Sequence, residues 1–178
     1  MNTPNLLTIL RVILIPFFVV FLLVDITQYD KYIALAIFII ASLTDTLDGY
    51  LARKNHQVTN FGKFMDPLAD KLLVCAAMIC LIELGKLPSW IVIVIISREF
   101  IISGFRLVAS DNGIVIAASW WGKIKTVSQM IMIVLLIADL GKGFAVLETV
   151  FIYVALILTV ISLVDYIAKN KQVLRMQD

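Results

Sequence analysis

Long apolar runs separated by short polar breaks organise this chain from end to end. The runs are Leu6 to Val24, Tyr32 to Asp45, the stretch up to about Ile82, Trp90 to about Arg106, Gly122 to Leu140, and Phe144 to Ala168. A helix needs about 20 mostly apolar residues to cross a bilayer, so the pattern predicts six transmembrane helices with short connectors. The breaks fall at Asp25 to Lys31, Lys54 to Phe61, Glu83 to Pro88, Ser110 to Gly113 and Gly141 to Gly143. In the second run helical character continues past the apolar part to Arg53, so its end is polar while its body is not.

Local signals refine the picture. Asn2 or Thr3 is expected to cap the first helix with Pro4 in its opening turn. Pro16 is expected to kink it, separating a short amphipathic N-terminal segment from the span proper. Arg11, two turns in, must snorkel or meet an anion. Pro67 suits a first turn, so the third helix is expected to open with Asp66 as its N-cap. Ile114 to Trp121 is expected to lie along the membrane surface, with Gly122 and Lys123 opening the fifth helix.

Composition supports this reading. The chain has 178 residues, 61% of them hydrophobic, and a mean hydropathy of +0.99. It therefore reads as one all-α, polytopic membrane domain over residues 1–178, without repeats or low-complexity tracts. The net charge of +2 says little, but its distribution is informative. Twelve of the 15 basic residues fall in segments that alternation puts on one side, and only Lys31, Lys86 and Lys142 on the other. The positive-inside rule makes the rich side cytoplasmic, and both termini fall there. Cys75 and Cys80 have neither CxxC nor disulfide spacing and read as packing residues. The amino-terminal run is expected to be retained, because Arg11 interrupts it and no small-residue cleavage site follows.

The chemistry is concentrated between Asp45 and Asp70. Asp45 and Asp48 are three residues apart and Asp66 and Asp70 four apart, so on helices each pair shares a face. Four carboxylates beside an apolar phase repel one another and need cations, and hard oxygen donors suit Mg²⁺ or Mn²⁺. Gly49 and Ala52 fall on the Asp45 stripe and leave space for a ligand. Arg53 offers a planar fork for phosphate oxygens. A solvated loop is the competing reading, but ordinary loops have no reason to keep helical register. His56, in the connector, reads as a solvated residue outside the site.

Written out, the stretch is Asp-x2-Asp-Gly-x2-Ala-Arg-x8-Gly-x3-Asp-x3-Asp, with eight fixed positions all matched. It resembles the complete signature of the CDP-alcohol phosphotransferases, enzymes that move the phosphatidyl group of CDP-diacylglycerol, or a related CDP-alcohol, to an alcohol and release CMP. The resemblance implies that Asp45, Asp48, Asp66 and Asp70 ligate two divalent ions, and that Asp70 is the general base. Asp48, Gly49, Ala52, Arg53 and Gly62 would bind CDP-diacylglycerol. It also implies a homodimer in the cell membrane.

Acceptor choice must come from outside the signature. Lys63, Arg98, Arg106, Lys123 and Lys125 are more cations than anchoring needs, and a phosphorylated acceptor would use them. Two plainer readings stand beside this one: Arg98 and Glu99 as a structural ion pair, and Lys123 and Lys125 as positive-inside anchors. The segments Gly62 to Lys71, Ser97 to Arg106 and Gly122 to Thr126, with the weaker Pro4-Asn5-x2-Thr8-x2-Arg11 opening, resemble the phosphatidylglycerophosphate synthase branch of the family. That likeness implies sn-glycerol 3-phosphate as acceptor and membrane lipids as surroundings, with no role for nucleic acid. Inositol phosphate, serine or phosphatidylglycerol as acceptor are the alternatives within the family. A cation-coupled carrier is the alternative outside it, but it predicts charges near the bilayer midplane and inverted halves, which this sequence lacks.

Overall fold

The computed structural model describes residues 3–54, 60–111, 116–117 and 119–171, with the side chains at 3–7, 45–54, 60–67, 70 and 111 outside the description. Within it all regular structure is helical: α1 (Thr3–Leu23), α2 (Asp30–Lys54), α3 (Asn60–Glu83), α4 (Ser89–Asp111), α5 (Trp120–Ala138) and α6 (Ala145–Lys169). A 3-10 turn over Lys142–Phe144 leads into α6. The chain divides into two compact units, Met1–Lys86 and Leu87–Asp178.

In the first unit α1 packs against both α2 and α3, which also touch each other. Alanines make this close approach possible: Ala34 and Ala41 on α2 and Ala69 and Ala77 on α3 are buried, and small residues let helix backbones come together. Phe18 of α1 and Phe38 of α2 fill the space between, with ring centroids 5.8 Å apart. Arg11 is also buried, and its Nε donates to the Ala41 carbonyl at 3.2 Å.

α1 is one helix from Thr3 to Leu23 with Pro16 inside it, on an exposed face. A proline removes one backbone donor, and the rest of this helix supports the gap. α3 begins at Asn60, which puts Pro67 inside the helix and takes Asp66 out of the N-cap position. Helical register was already running when it reached the proline.

The helix ends are well made. Thr27 and Asp30 close the turn that leads into α2: the Thr27 Oγ1 accepts from the Tyr29 N–H at 3.2 Å, and the Asp30 Oδ2 accepts from the Thr27 N–H at 2.6 Å. The segment read as a loop up to Lys31 is thus already the helix entrance. At the end of α3, Gly85 takes φ +68°. Its N–H donates to the Ile82 carbonyl and that of Lys86 to the Leu81 carbonyl, each at 2.9 Å, the paired bonds of a Schellman turn.

In the second unit α6 lies against both α4 and α5. Ser119 caps α5, its Oγ accepting from the Gly122 N–H at 3.1 Å. Trp120 and Trp121 therefore stand in the first turn of α5 and not on a separate surface segment. The rest of that expected segment includes residues 112–115 and 118, outside the description. The buried side of α6 is Ala155, Thr159, Ser162 and Tyr166, spaced at three and four as one stripe. Its exposed side carries Val146, Ile157, Val160 and Val164. Small and polar residues inside with branched aliphatics outside is a pattern for an apolar surrounding, since exposed apolar area of this kind is unfavourable in water.

Among the described residues, two stretches are long and apolar enough to cross a membrane, Trp120–Ala138 with 19 residues and Lys142–Lys169 with 28. Thr8–Leu23 is apolar but shorter.

Candidate active site

Asp45, Asp48, Gly49, Ala52 and Arg53 all lie on α2, which ends at Lys54. Gly62, Lys63, Asp66 and Asp70 all lie on α3. The helical spacing that the sequence requires is therefore present in the backbone, on two neighbouring helices of one unit.

Register places these positions more closely. On α2 the buried positions Ala34, Phe38 and Ala41 form a stripe whose next member, at a spacing of four, is Asp45. Gly49 and Ala52 continue the same stripe. On α3 Asp66 and Asp70 share a stripe with Leu73 and Ala77, which are fully buried. By register, both pairs of positions continue the buried stripes of α2 and α3. The carboxylates themselves, with Arg53 and Lys63, lie outside the described side chains, and His56 lies outside the described residues. Among the described residues no three His, Cys, Asp or Glu groups gather as a metal site. The donor set does fit a hard divalent cation, because it is all carboxylate and helical register brings it in pairs to one face of each helix.

The second unit holds the other cations. Arg98 is 7% exposed and Lys125 1%, so neither is a surface anchor. Glu99 joins them: its Oε1 accepts from Arg98 Nη1 at 3.0 Å and from Lys125 Nζ. Arg98 Nη2 also donates to the Ser162 hydroxyl on α6. Space for this contact comes from Gly122, where an added Cβ would stand 3.3 Å from Nη2. Arg106 is exposed, with its guanidinium carbon 5.9 Å from the centre of the Tyr166 ring. Lys123 is exposed near the start of α5.

The structure therefore brings Arg98 and Lys125 together through Glu99, and keeps Lys123 out of that cluster. The sequence flagged the Arg98 and Glu99 pair but not Ser162 or Tyr166, which sit in an apolar run without distinguishing spacing.

Comparison with known proteins gives the family. Residues 1–161 match the family model for CDP-alcohol phosphatidyltransferase. A Bacillus subtilis protein named CDP-diacylglycerol–glycerol-3-phosphate 3-phosphatidyltransferase is 45% identical, with 98% of this chain and 97% of the relative covered. Proteins of the same name are 44% identical in Haemophilus influenzae, covering 96% and 94%, and 39% identical in Escherichia coli, covering 94% and 93%. With the signature complete on α2 and α3 and the match running through both units, the chain belongs to the CDP-alcohol phosphatidyltransferase family.

Proposed function

We propose that this protein transfers the phosphatidyl group of CDP-diacylglycerol to sn-glycerol 3-phosphate, releasing CMP and forming phosphatidylglycerol phosphate. The observation that carries the reading is near-full-length similarity to relatives named for that reaction, in a chain whose eight signature residues are intact.

Asp45, Asp48, Asp66 and Asp70 would hold two divalent ions, Mg²⁺ or Mn²⁺, which supply charge neutralisation at the pyrophosphate. Gly49, Ala52 and Gly62 leave room for the nucleotide, and Asp48 and Arg53 contact it. Asp70 accepts the proton of the acceptor hydroxyl as its oxygen attacks the phosphorus bearing the diacylglycerol, and the bond to CMP breaks in line. Arg98 and Lys125 bind the acceptor phosphate, and Lys63, Arg106 and Lys123 are the further cations that the sequence offers for it. Their charge favours a phosphorylated acceptor over serine.

The protein works in the cell membrane as one catalytic domain of six spans, with the reaction and both termini on the cytoplasmic side, and as a homodimer. The long apolar α5 and α6 and the aliphatic outer face of α6 support membrane residence. The one-sided distribution of basic residues supports the orientation.

An acceptor panel tests the reading. Purified protein in detergent receives labelled CDP-diacylglycerol and, separately, glycerol 3-phosphate, inositol phosphate, serine or phosphatidylglycerol, with and without Mg²⁺. Metal-dependent CMP release with glycerol 3-phosphate alone is expected. Turnover with another acceptor in its place would move the assignment within the family, and no CMP with any acceptor would refute it.

A further inference from the structure

The cluster on α4, α5 and α6 contains one carboxylate that none of the proposed substrate contacts uses. Glu99 is the neighbour of Arg98 on α4 and takes both Arg98 Nη1 and Lys125 Nζ on a single oxygen. Ser162 holds Arg98 Nη2 from the other side. Both terminal nitrogens of the guanidinium are thus pinned by protein, which fixes its plane. The remaining nitrogen, Nε, is buried and has no hydrogen-bond partner among the described residues. A buried N–H without an acceptor is costly, and a charged group makes it more so. The arrangement is complete only when an acceptor atom reaches Nε.

Two cations held against one carboxylate oxygen also cannot drift apart, although they repel each other. Arg98 and Lys125 are therefore kept at a separation that oxygens of one phosphate can bridge. Without the carboxylate, each would relax toward its own nearest acceptor. Gly122 belongs to the same construction, because a side chain there would crowd the nitrogen that Ser162 receives.

We propose that Glu99 is a positioning residue that orients Arg98 and Lys125 toward the acceptor's phosphomonoester, with Ser162 setting the guanidinium plane. This rests on the reading that Arg98 and Lys125 bind that phosphate. Glu99 itself touches no substrate, so its removal acts on acceptor affinity and leaves the nucleotide side unaffected.

The test is steady-state kinetics of Glu99→Gln, Glu99→Asp, Ser162→Ala and Arg98→Gln in detergent, with thermal inactivation followed in parallel. Glu99→Gln is expected to raise the KM for glycerol 3-phosphate about tenfold, the scale of losing one charge-assisted contact. Its kcat and its KM for CDP-diacylglycerol stay within about threefold of wild type. Glu99→Asp, which keeps the charge, recovers part of the loss, and Ser162→Ala gives a smaller rise of the same kind. An unchanged KM for glycerol 3-phosphate in Glu99→Gln, or a fall in kcat alone, overturns the proposal. Should Glu99→Gln fail to accumulate, Ser162→Ala decides by the same criterion. Arg98→Gln separates the two levels: no effect on that KM defeats the underlying phosphate reading. A rise there with none in the Glu99 and Ser162 variants defeats only the positioning role.

Discussion

Arg11 on α1 donates from Nε to the backbone carbonyl of Ala41 on α2 at 3.2 Å, one helical turn before Asp45. Arg11 is 1% exposed, so the contact spans a buried helix interface and ends beside the signature. Replacing Arg11 with Ala removes a charge-assisted hydrogen bond worth about 1.5–3 kcal/mol and leaves a gap where the side chain packed. Faster thermal inactivation is expected, with reduced CMP release before heating. Wild-type half-life and turnover in Arg11→Ala would show that α1 does not hold the position of α2.

The carboxylates give a sharper expectation. Asp66→Asn and Asp70→Asn keep shape and helix register while removing the charge that a divalent ion requires. Each should abolish CMP release without altering membrane insertion, and raising Mg²⁺ should restore Asp66→Asn in part at most. Near-normal turnover in either variant would take the carboxylates out of the mechanism. EDTA on the wild type should have the same effect, reversed by Mg²⁺ or Mn²⁺.

Much of this was legible in the sequence. Helix positions followed from the apolar runs, and the signature from carboxylate spacing at three and four. What misled was local chemistry read in isolation. Pro67 signals a first turn, yet α3 starts at Asn60, because one missing donor does not end a helix already in register. Thr27 and Asp30 close a turn hidden inside a polar stretch that looked like plain loop. Ser162 was not legible at all: its importance comes from Arg98, 64 residues away in the chain, and no local pattern carries that distance.

The Asp30 turn predicts a pH dependence. Burial alone would push this carboxyl up, but hydrogen bonds from Thr27 and Ile26 outweigh it and hold it below its ordinary value. A lowered folded value means that the stabilisation is complete above the unfolded value, about 4, and is lost as pH falls through the folded one. Asp30→Asn should therefore lower the Tm at pH 7, with the difference from wild type shrinking as the pH drops below about 4. An equal gap at both pH values would mean that the ionised carboxylate contributes nothing at this turn.

Two glycines should respond differently to alanine. Gly85 has φ +68° and open space around it, so Gly85→Ala meets only backbone strain, about 1–2 kcal/mol. At Gly122 the backbone is helical, and alanine gains up to about 1 kcal/mol of helix propensity while pressing on Arg98 Nη2 at 3.3 Å. Stability there should hardly change, because the two effects oppose each other. The readout is the KM for glycerol 3-phosphate, expected to rise in Gly122→Ala and stay level in Gly85→Ala. The opposite pattern would separate Arg98 from acceptor binding.

Tyr166 allows ring and hydroxyl to be separated. Its ring lies under the Arg106 guanidinium at 5.9 Å and meets Phe105 edge-on at 6.3 Å, while its buried hydroxyl has no hydrogen-bond partner among the described residues. Removing an unpaired buried hydroxyl relieves a desolvation cost, so Tyr166→Phe should keep activity and match or exceed wild-type stability. Tyr166→Leu loses the π face. A cation–π contact at an exposed site is worth about 0.5–1 kcal/mol, so Arg106 should lose its fixed place and the KM for glycerol 3-phosphate rise about two- to fivefold. Arg106→Gln should raise it further, since it removes the charge as well as the orientation. If Tyr166→Phe proves as harmful as Tyr166→Leu, the hydroxyl has a partner in the working enzyme, and the nearest chemical candidate is the acceptor phosphate.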